Sequence, residues 1–146
     1  MIATDGSDDV LSSLSTNFYL NQLQDSSVIG AREVKWGQAL ISGEHAQWNA
    51  GREIDVVLGA DLTYDVRVVP ALVATFGDIF DLYPKVKILY AGTVRNPETF
   101  EVFLGACKRN QFVAEDIDFE ILEAGRQEGP FYDDRVPIRL CRIVRP

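Results

Sequence analysis

The stretch Glu53–Asp65, EIDVVLGADLTYD, constrains the fold of this 146-residue chain more than any other. An apolar run without polar alternation is followed by two small residues, Gly59 and Ala60, and then by the acid Asp61 and the phenol Tyr64. Such a run predicts a buried strand of a parallel α/β sheet, because helices cover both faces of these sheets. Ligands bind beyond the carboxyl ends of such strands, so Asp61 and Tyr64 are candidate functional residues. A capped turn in which Asp61 only supports the backbone is the alternative.

Strand and helix patterns alternate along most of the chain. Strands are predicted at Met1–Thr4, around Ala31–Trp36, and at Val86–Ala91, and helices from the cap Ser7 to about residues 21–23, over residues 68–80, and from Asn96-Pro97-Glu98 to a left-handed stop at Asn110. The last two strands are predicted at Phe119–Leu122 and Val136–Val144 and are expected to pair antiparallel. This order predicts an α/β fold with a mixed sheet. Without a linker or repeat, residues 1–146 are expected to form one domain.

Charge and composition exclude several classes of function. A net charge of −8 and a pI near 4.6 argue against a nucleic-acid interface, which needs clustered basic residues. His45 is the only histidine and no CxxC motif occurs, so neither a zinc site nor a Ser-His-Asp triad is expected. Cys107 and Cys141 fall in apolar patterns and are predicted to be small core residues. Because the sequence shows no secretory or long apolar segment, a cytoplasmic location without a membrane partner is expected.

Four motifs together resemble the class I methyltransferases that use S-adenosylmethionine. They are ATDG at residues 3–6, KWG at 35–37, GADLTYD at 59–65 and TVRNPETF at 93–100. More narrowly, the motifs resemble the family-sixteen group, which contains many protein-lysine methyltransferases, and within it the branch that methylates elongation factor 2. The resemblance covers nearly the whole chain. It implies a Rossmann-like, seven-strand sheet with an antiparallel C-terminal pair, S-adenosylmethionine as cofactor, and a protein substrate such as elongation factor 2.

The resemblance also implies which residues contact the cofactor. Asp5 matches the acid that receives the ribose hydroxyls, for which a carboxylate is a suitable pure acceptor. Trp36 matches an indole beside the adenine, and Ala60 matches a small residue on the floor of the site. Taken without the resemblance, Asp5 could be an acid at a helix N-terminus and Trp36 a core residue.

The residues implied for catalysis are Asp61 and Tyr64, which match the DxxY motif of the group. Methyl transfer to lysine needs a positioned neutral amine and stabilisation of the charge that develops on it. Asp61 is therefore expected to orient the lysine, with Tyr64 shaping the channel. Arg95 and Asn96 match a family signature at the same sheet edge. We leave both out of the catalytic set, since Asn96 can serve as a helix cap.

One departure from the family limits this interpretation. Members carry a first strand and a glycine-rich loop, and in their strand order, 3-2-1-4-5-7-6, that strand is central. The start of this chain corresponds to the second strand, so we expect an N-terminally truncated or partial domain, with Met1–Thr4 pairing directly with Asp55–Gly59. A non-catalytic, methyltransferase-like domain without cofactor binding is therefore an alternative function. A metabolite methyltransferase is a third, because fold does not fix the acceptor.

Overall fold

The chain is described here from a computed structural model that covers residues 1–25, 29–40, 53–118 and 137–146. These residues divide into two compact units, Met1–Gln38 and Ala39–Pro146. The single domain expected over residues 1–146 stays a prediction.

The first unit is a strand-helix-strand segment. It consists of β1 (Ile2–Asp5), α1 (Asp8–Leu20) and β2 (Gly30–Glu33). The two strands pair in parallel, with Asp5 opposite Glu33. Two acids, Asp8 and Asp9, lie in the first turn of α1, where carboxylates favour the positive end of the helix dipole. Ser7 is the N-cap as predicted, but its side chain makes no capping bond and its N–H donates to Asp5 Oδ1 at 2.9 Å.

The second unit is a four-stranded mixed sheet with two helices. Its elements are β3 (Val56–Ala60), α2 (Val69–Leu82), β4 (Lys87–Thr93), α3 (Pro97–Arg109), β5 (Val113–Asp116) and β6 (Ile138–Val144). The strand order is β3-β4-β6-β5, with β3 parallel to β4 and β6 antiparallel to both of its neighbours. The combination of parallel and antiparallel pairing agrees with the predicted mixed sheet, while the seven-strand arrangement stays a prediction.

The core of the second unit lies between its helices and one face of the sheet. Alternate residues of β4 and β6 are buried, as expected for strands with one covered face. The apolar stripes of α2 and α3 supply the other side of this core, whose most buried side chains are Val69, Leu72, Val73, Ile88, Tyr90, Phe103, Cys107, Cys141 and Ile143. The predicted core placement of both cysteines is confirmed. Burial of this apolar surface is the main stabilising contribution to the unit.

Three expectations about strands and helix ends need correction or stay open. Asn110 is not left-handed, with φ −92°, because its N–H and side chain still bond to carbonyls of α3; Gln111, with φ 61°, makes the left-handed turn instead. In the described chain β6 pairs antiparallel with β4 and with β5; β5 was not predicted, and Phe119–Leu122 falls outside the described residues. The direct pairing expected between Met1–Thr4 and Asp55–Gly59 would join the two units and stays a prediction.

Candidate active site

The site begins where β3 ends, at a sharp turn whose first residue is Asp61. Asp61 has φ 51°, in the left-handed region that aspartate enters more readily than most side chains. Its N–H donates to the carbonyl of Ala91 on β4 at 2.8 Å, so the turn is attached to the neighbouring strand. The chain therefore leaves the sheet abruptly and directs the Asp61 side chain back toward the end of β4.

Three donors hold the Asp61 carboxylate in this position. Oδ1 accepts a hydrogen bond from the Thr93 N–H at 2.7 Å, and Oδ2 accepts longer bonds from Thr93 Oγ1 at 3.3 Å and from Arg95 Nη2 at 3.4 Å. The side chain is still 49% exposed. Asp61 is thus oriented by the backbone of β4 and keeps lone pairs open to a further donor.

The second acid of the same turn, Asp65, is engaged elsewhere. The Arg67 side chain and N–H donate to its carboxylate at distances between 2.6 and 3.1 Å, and this hydrogen bonding lowers the pKa of Asp65 below its ordinary value of 3.8. Asp61 is therefore the better placed of the two acids to receive a ligand.

Tyr90, a buried residue of β4, is hydrogen-bonded to the turn that follows β3. Its hydroxyl lies 2.6 Å from Thr63 Oγ1, and the residue is fully buried. The ring contacts Phe103 at a centroid distance of 5.0 Å and Phe100 at 6.3 Å. Burial raises the pKa of the Tyr90 phenol above 10.0, while the bond to Thr63 opposes that rise. At neutral pH Tyr90 is thus a neutral phenol that fixes Thr63.

A cavity of about 110 Å³ opens beside these groups. Its lining consists of Asp61, Thr63, Tyr64, Thr93, Val94, Arg95, Asn96, Thr99 and Phe100. The carboxylate of Asp61, several hydroxyls and the rings of Tyr64 and Phe100 line one small space, and Tyr64 is 71% exposed. A carboxylate and aromatic faces favour a cation, so these groups suit a primary amine and the ammonium it can become.

The residues implied for cofactor binding lie in both units. In the first unit, Asp5 and Trp36 both lie at the carboxyl side of the β1-β2 pair, Asp5 as the last residue of β1 and Trp36 shortly after β2. Both are partly buried, and Asp5 accepts one described hydrogen bond, at Oδ1. In the second unit, Ala60 is the exposed last residue of β3 and lies opposite Ala91. The structure thus brings Ala60, Asp61 and Tyr64 together at one strand end.

Sequence reasoning missed the residues that hold the site together. Thr93 supplies the shortest bond to Asp61, and Tyr90 anchors Thr63, but neither was a candidate. Arg95, which was left out of the catalytic set, contacts the Asp61 carboxylate. One signal was available, because Thr93 ends the strand that follows β3 and the carboxyl ends of neighbouring parallel strands meet at one edge.

Two other kinds of site are absent from the described ranges. Residues 1–25, 29–40, 53–118 and 137–146 contain no group of three or more His, Cys, Asp or Glu side chains arranged to hold a metal ion. Among the helices of those ranges, none combines the length and the apolar character needed to cross a membrane.

The matching family model and the similar sequences all belong to lysine methyltransferases. The sequence model of the family described as "Lysine methyltransferase" matches residues 1–110. "Protein-lysine N-methyltransferase EFM3" of Chaetomium thermophilum is 50% identical over 145 residues, which are 99% of this chain and 43% of that protein. The protein of the same name from Saccharomyces cerevisiae is 28% identical over 113 residues, which are 75% of this chain and 30% of that protein. This chain therefore spans less than half the length of both relatives.

Comparison with solved structures supports the fold. The chain is similar to the crystal structure of ribosomal protein L11 methylase from Lactobacillus delbrueckii subsp. bulgaricus, with a TM-score of 0.52 and 17% sequence identity. The match covers 99% of this chain and 56% of that one. At this identity the likeness concerns the fold, and it confirms the predicted Rossmann-like α/β class.

Proposed function

We propose, on the premise that this chain belongs to the lysine methyltransferase family, that it acts in S-adenosylmethionine-dependent methylation of a protein lysine. The observation that carries this proposal is the half-exposed carboxylate of Asp61, fixed by the Thr93 N–H at the end of β3 beside the exposed ring of Tyr64. A fixed acceptor of this kind orients a lysine amine at a sheet edge where ligands of α/β folds bind.

For methyl transfer the protein has to position the lysine amine and stabilise the positive charge that develops on it. The cofactor supplies a methyl group on a positively charged sulfur. The lysine nitrogen would take the methyl carbon as the bond from carbon to sulfur breaks, and would carry the positive charge until it releases a proton to water. Asp61 orients the attacking amine through a hydrogen bond and stabilises the charge that develops on it. Tyr64 borders the same cavity and offers an aromatic face to that charge.

The side chains implied for cofactor binding suit their proposed partners. Asp5 accepts one described hydrogen bond, at Oδ1 from Ser7, which leaves acceptor capacity for paired ribose hydroxyls. Trp36 is partly buried and offers part of an indole surface for stacking on a purine. Ala60 is small and exposed at the end of β3, so it permits close approach of a ligand to the backbone. Asp5, Trp36 and Ala60 are therefore our proposed cofactor contacts.

The acceptor that we propose is a lysine of a translation factor such as elongation factor 2. Support comes from the sequence resemblance and from identity to two proteins named as protein-lysine N-methyltransferases. The acidic balance of the chain, with net charge −8, favours a basic protein partner. A cytoplasmic location is proposed along with this acceptor.

Calorimetric titration with S-adenosylmethionine and S-adenosylhomocysteine tests cofactor binding by this chain. We expect saturable binding that Asp5→Ala weakens roughly 10- to 100-fold, which is the cost of losing hydrogen bonds to a charged group. Asp9→Ala is the matched control, because Asp9 lies on α1 in the same unit and is exposed. Its affinity should equal that of the wild type. Absence of binding at millimolar ligand would instead support a non-catalytic, methyltransferase-like domain.

A further inference from the structure

We propose that Tyr90 is a positioning residue for the methyl-transfer site. Through its hydrogen bond to Thr63, Tyr90 holds the turn that presents Asp61 and Tyr64. This inference rests on the proposed function for its catalytic consequence, whereas its structural consequence can be measured without any activity.

The bond from Tyr90 joins a fixed core residue to the middle of the functional turn. Thr63 lies two residues after Asp61 and directly before Tyr64, and the two hydroxyl oxygens of Thr63 and Tyr90 are 2.6 Å apart. This distance is typical of a well-formed bond between hydroxyl groups. Because Asp61 is itself bonded to Ala91 and Thr93, three positions on β4 attach the turn. Tyr90 is the one that acts on its centre.

The Tyr90 side chain has little freedom to move away from Thr63. It is fully buried, and its ring contacts Phe100 and Phe103, two buried residues of α3. The phenol end passes over Gly92, where any Cβ would overlap the Tyr90 hydroxyl. Glycine at position 92 therefore provides the space that lets the hydroxyl reach Thr63. A buried ring in a packed core transmits its position to the groups it bonds.

Loss of this bond would act on both partners. A buried phenol without a partner is costly, and the described partners of the Tyr90 hydroxyl are the side chain and the backbone of Thr63. Without the bond, the segment between Asp61 and Tyr64 would lose its side-chain attachment to the buried core. The expected result is a looser turn, with the Asp61 carboxylate spending less time against the Thr93 N–H.

A purely structural role for Tyr90 makes a different prediction. If the bond only stabilises the core, Tyr90→Phe should lower the protection of backbone amides from hydrogen exchange equally in β4, β5 and β6. If it positions the turn, the change should concentrate at the N–H groups of Asp61 and Thr93, which are both hydrogen-bonded in the site. Turnover should then fall while the KM for cofactor stays near the wild-type value.

The test is a mutant cycle followed by amide hydrogen exchange and by transfer of a labelled methyl group. Tyr90→Phe and Thr63→Val should each speed exchange at Asp61 and Thr93 by roughly tenfold, and the double variant should be no worse than Tyr90→Phe alone, since Tyr90→Phe already removes the bond that Thr63→Val removes. Thr63→Ser keeps a hydroxyl and should restore slow exchange. Tyr83→Phe, which removes a phenol oxygen at the end of α2, should change neither measurement.

The outcomes separate this inference from the proposed function. Unchanged exchange at Asp61 and Thr93 in Thr63→Val, a uniform rise across the sheet, or additive effects in the double variant would each overturn the positioning role. The expected exchange pattern in a chain that transfers no methyl group would support positioning and contradict the methyltransferase proposal. Should Tyr90→Phe fail to fold, Thr63→Val alone decides the matter, because Thr63 lies outside the core.

Discussion

Asp61 combines an uncommon backbone conformation with a carboxylate that the backbone of β4 holds. Its φ of 51° costs free energy of about 1–3 kcal/mol in a non-glycine residue, and such conformations cluster at functional sites. Two hydrogen bonds compensate for this cost: the Asp61 N–H donates to the Ala91 carbonyl, and the Thr93 N–H donates to the Asp61 carboxylate. Ala91 and Thr93 take part in these bonds through backbone atoms, so most substitutions at either position would leave the bonds in place.

Arg95 is the one cation that contacts Asp61 in the described chain, and it offers a test at the scale of a single side chain. The Arg95 side chain is 73% exposed and 3.4 Å from Asp61 Oδ2. We expect Arg95→Gln to change the free energy of unfolding by less than about 1 kcal/mol, because exposed ion pairs contribute little. The KM for the acceptor protein should fall, since the incoming amine no longer competes with the guanidinium for Asp61.

Chemical denaturation and steady-state methyl transfer measure these two effects. Arg95→Lys, which keeps the charge, serves as the control and should resemble the wild type. A rise in the acceptor KM of Arg95→Gln would contradict competition and would indicate that Arg95 contacts the acceptor directly.

The sequence predicted Asp61 and Tyr64 but could not predict what holds them. Asp61 and Tyr64 can be recognised from the sequence because their reactive side chains directly follow an apolar run. The Thr93 N–H is present in every residue type except proline, so no side-chain pattern marks it. In the sequence Tyr90 is indistinguishable from the other apolar residues of its strand. Its bond to Thr63 forms only when β3 and β4 pair in the observed register.

The elements differ in how far local sequence determines them. α3 begins as predicted, with the Asn96 side chain accepting the Glu98 N–H at 2.9 Å and Pro97 in the first turn. β5 was missed because it has only four residues, of which Val113 is 46% exposed. Its strand conformation depends on pairing with β6, a contact distant in sequence that no local pattern reveals.

Two leucines test the assignment of the covered sheet face at the scale of elements. Leu72 on α2 is 1% exposed, whereas Leu58 on β3 is 78% exposed. Leu72→Ala should therefore lower the free energy of unfolding by about 2–5 kcal/mol, through lost burial and the cavity left behind. Leu58→Ala should change it by about 0.5 kcal/mol or less. Urea unfolding of both variants gives the comparison, and similar losses in the two would show that the face bearing Leu58 is covered.

At the scale of the whole molecule, buried thiols predict a response to alkaline pH. Burial raises the pKa of Cys107 to about 12 and that of Cys141 to about 11, and the nearby Asp116 carboxylate adds to the rise at Cys141. In the unfolded chain both thiols return toward the ordinary value of 9.0. The contribution of the two thiols to the free energy of unfolding is thus fully present below pH 9 and is lost as pH rises from 9 toward 12, because only the unfolded thiols ionise freely.

Urea unfolding between pH 8 and 10.5 should show this decline, and the decline should be shallower in Cys107→Ala. Thiol reagents provide an independent measurement, since the neutral buried thiols should react with them only after the protein unfolds. Rapid modification of the native chain at pH 8 would contradict the placement of Cys107 and Cys141 in the core.

Transfer of a labelled methyl group from S-adenosylmethionine to protein lysine tests the central claim most directly. The wild-type chain, incubated with cofactor and a protein extract, should place the label on lysine nitrogens that peptide mass spectrometry can identify. Asp61→Asn should reduce this transfer at least 100-fold, because it removes the charge that favours the developing ammonium. Asp81→Asn, which alters an exposed acid on α2 paired with Arg145, is the matched control and should retain full transfer. Equal labelling by the wild type and Asp61→Asn, or no lysine labelling by the wild type, would contradict the account.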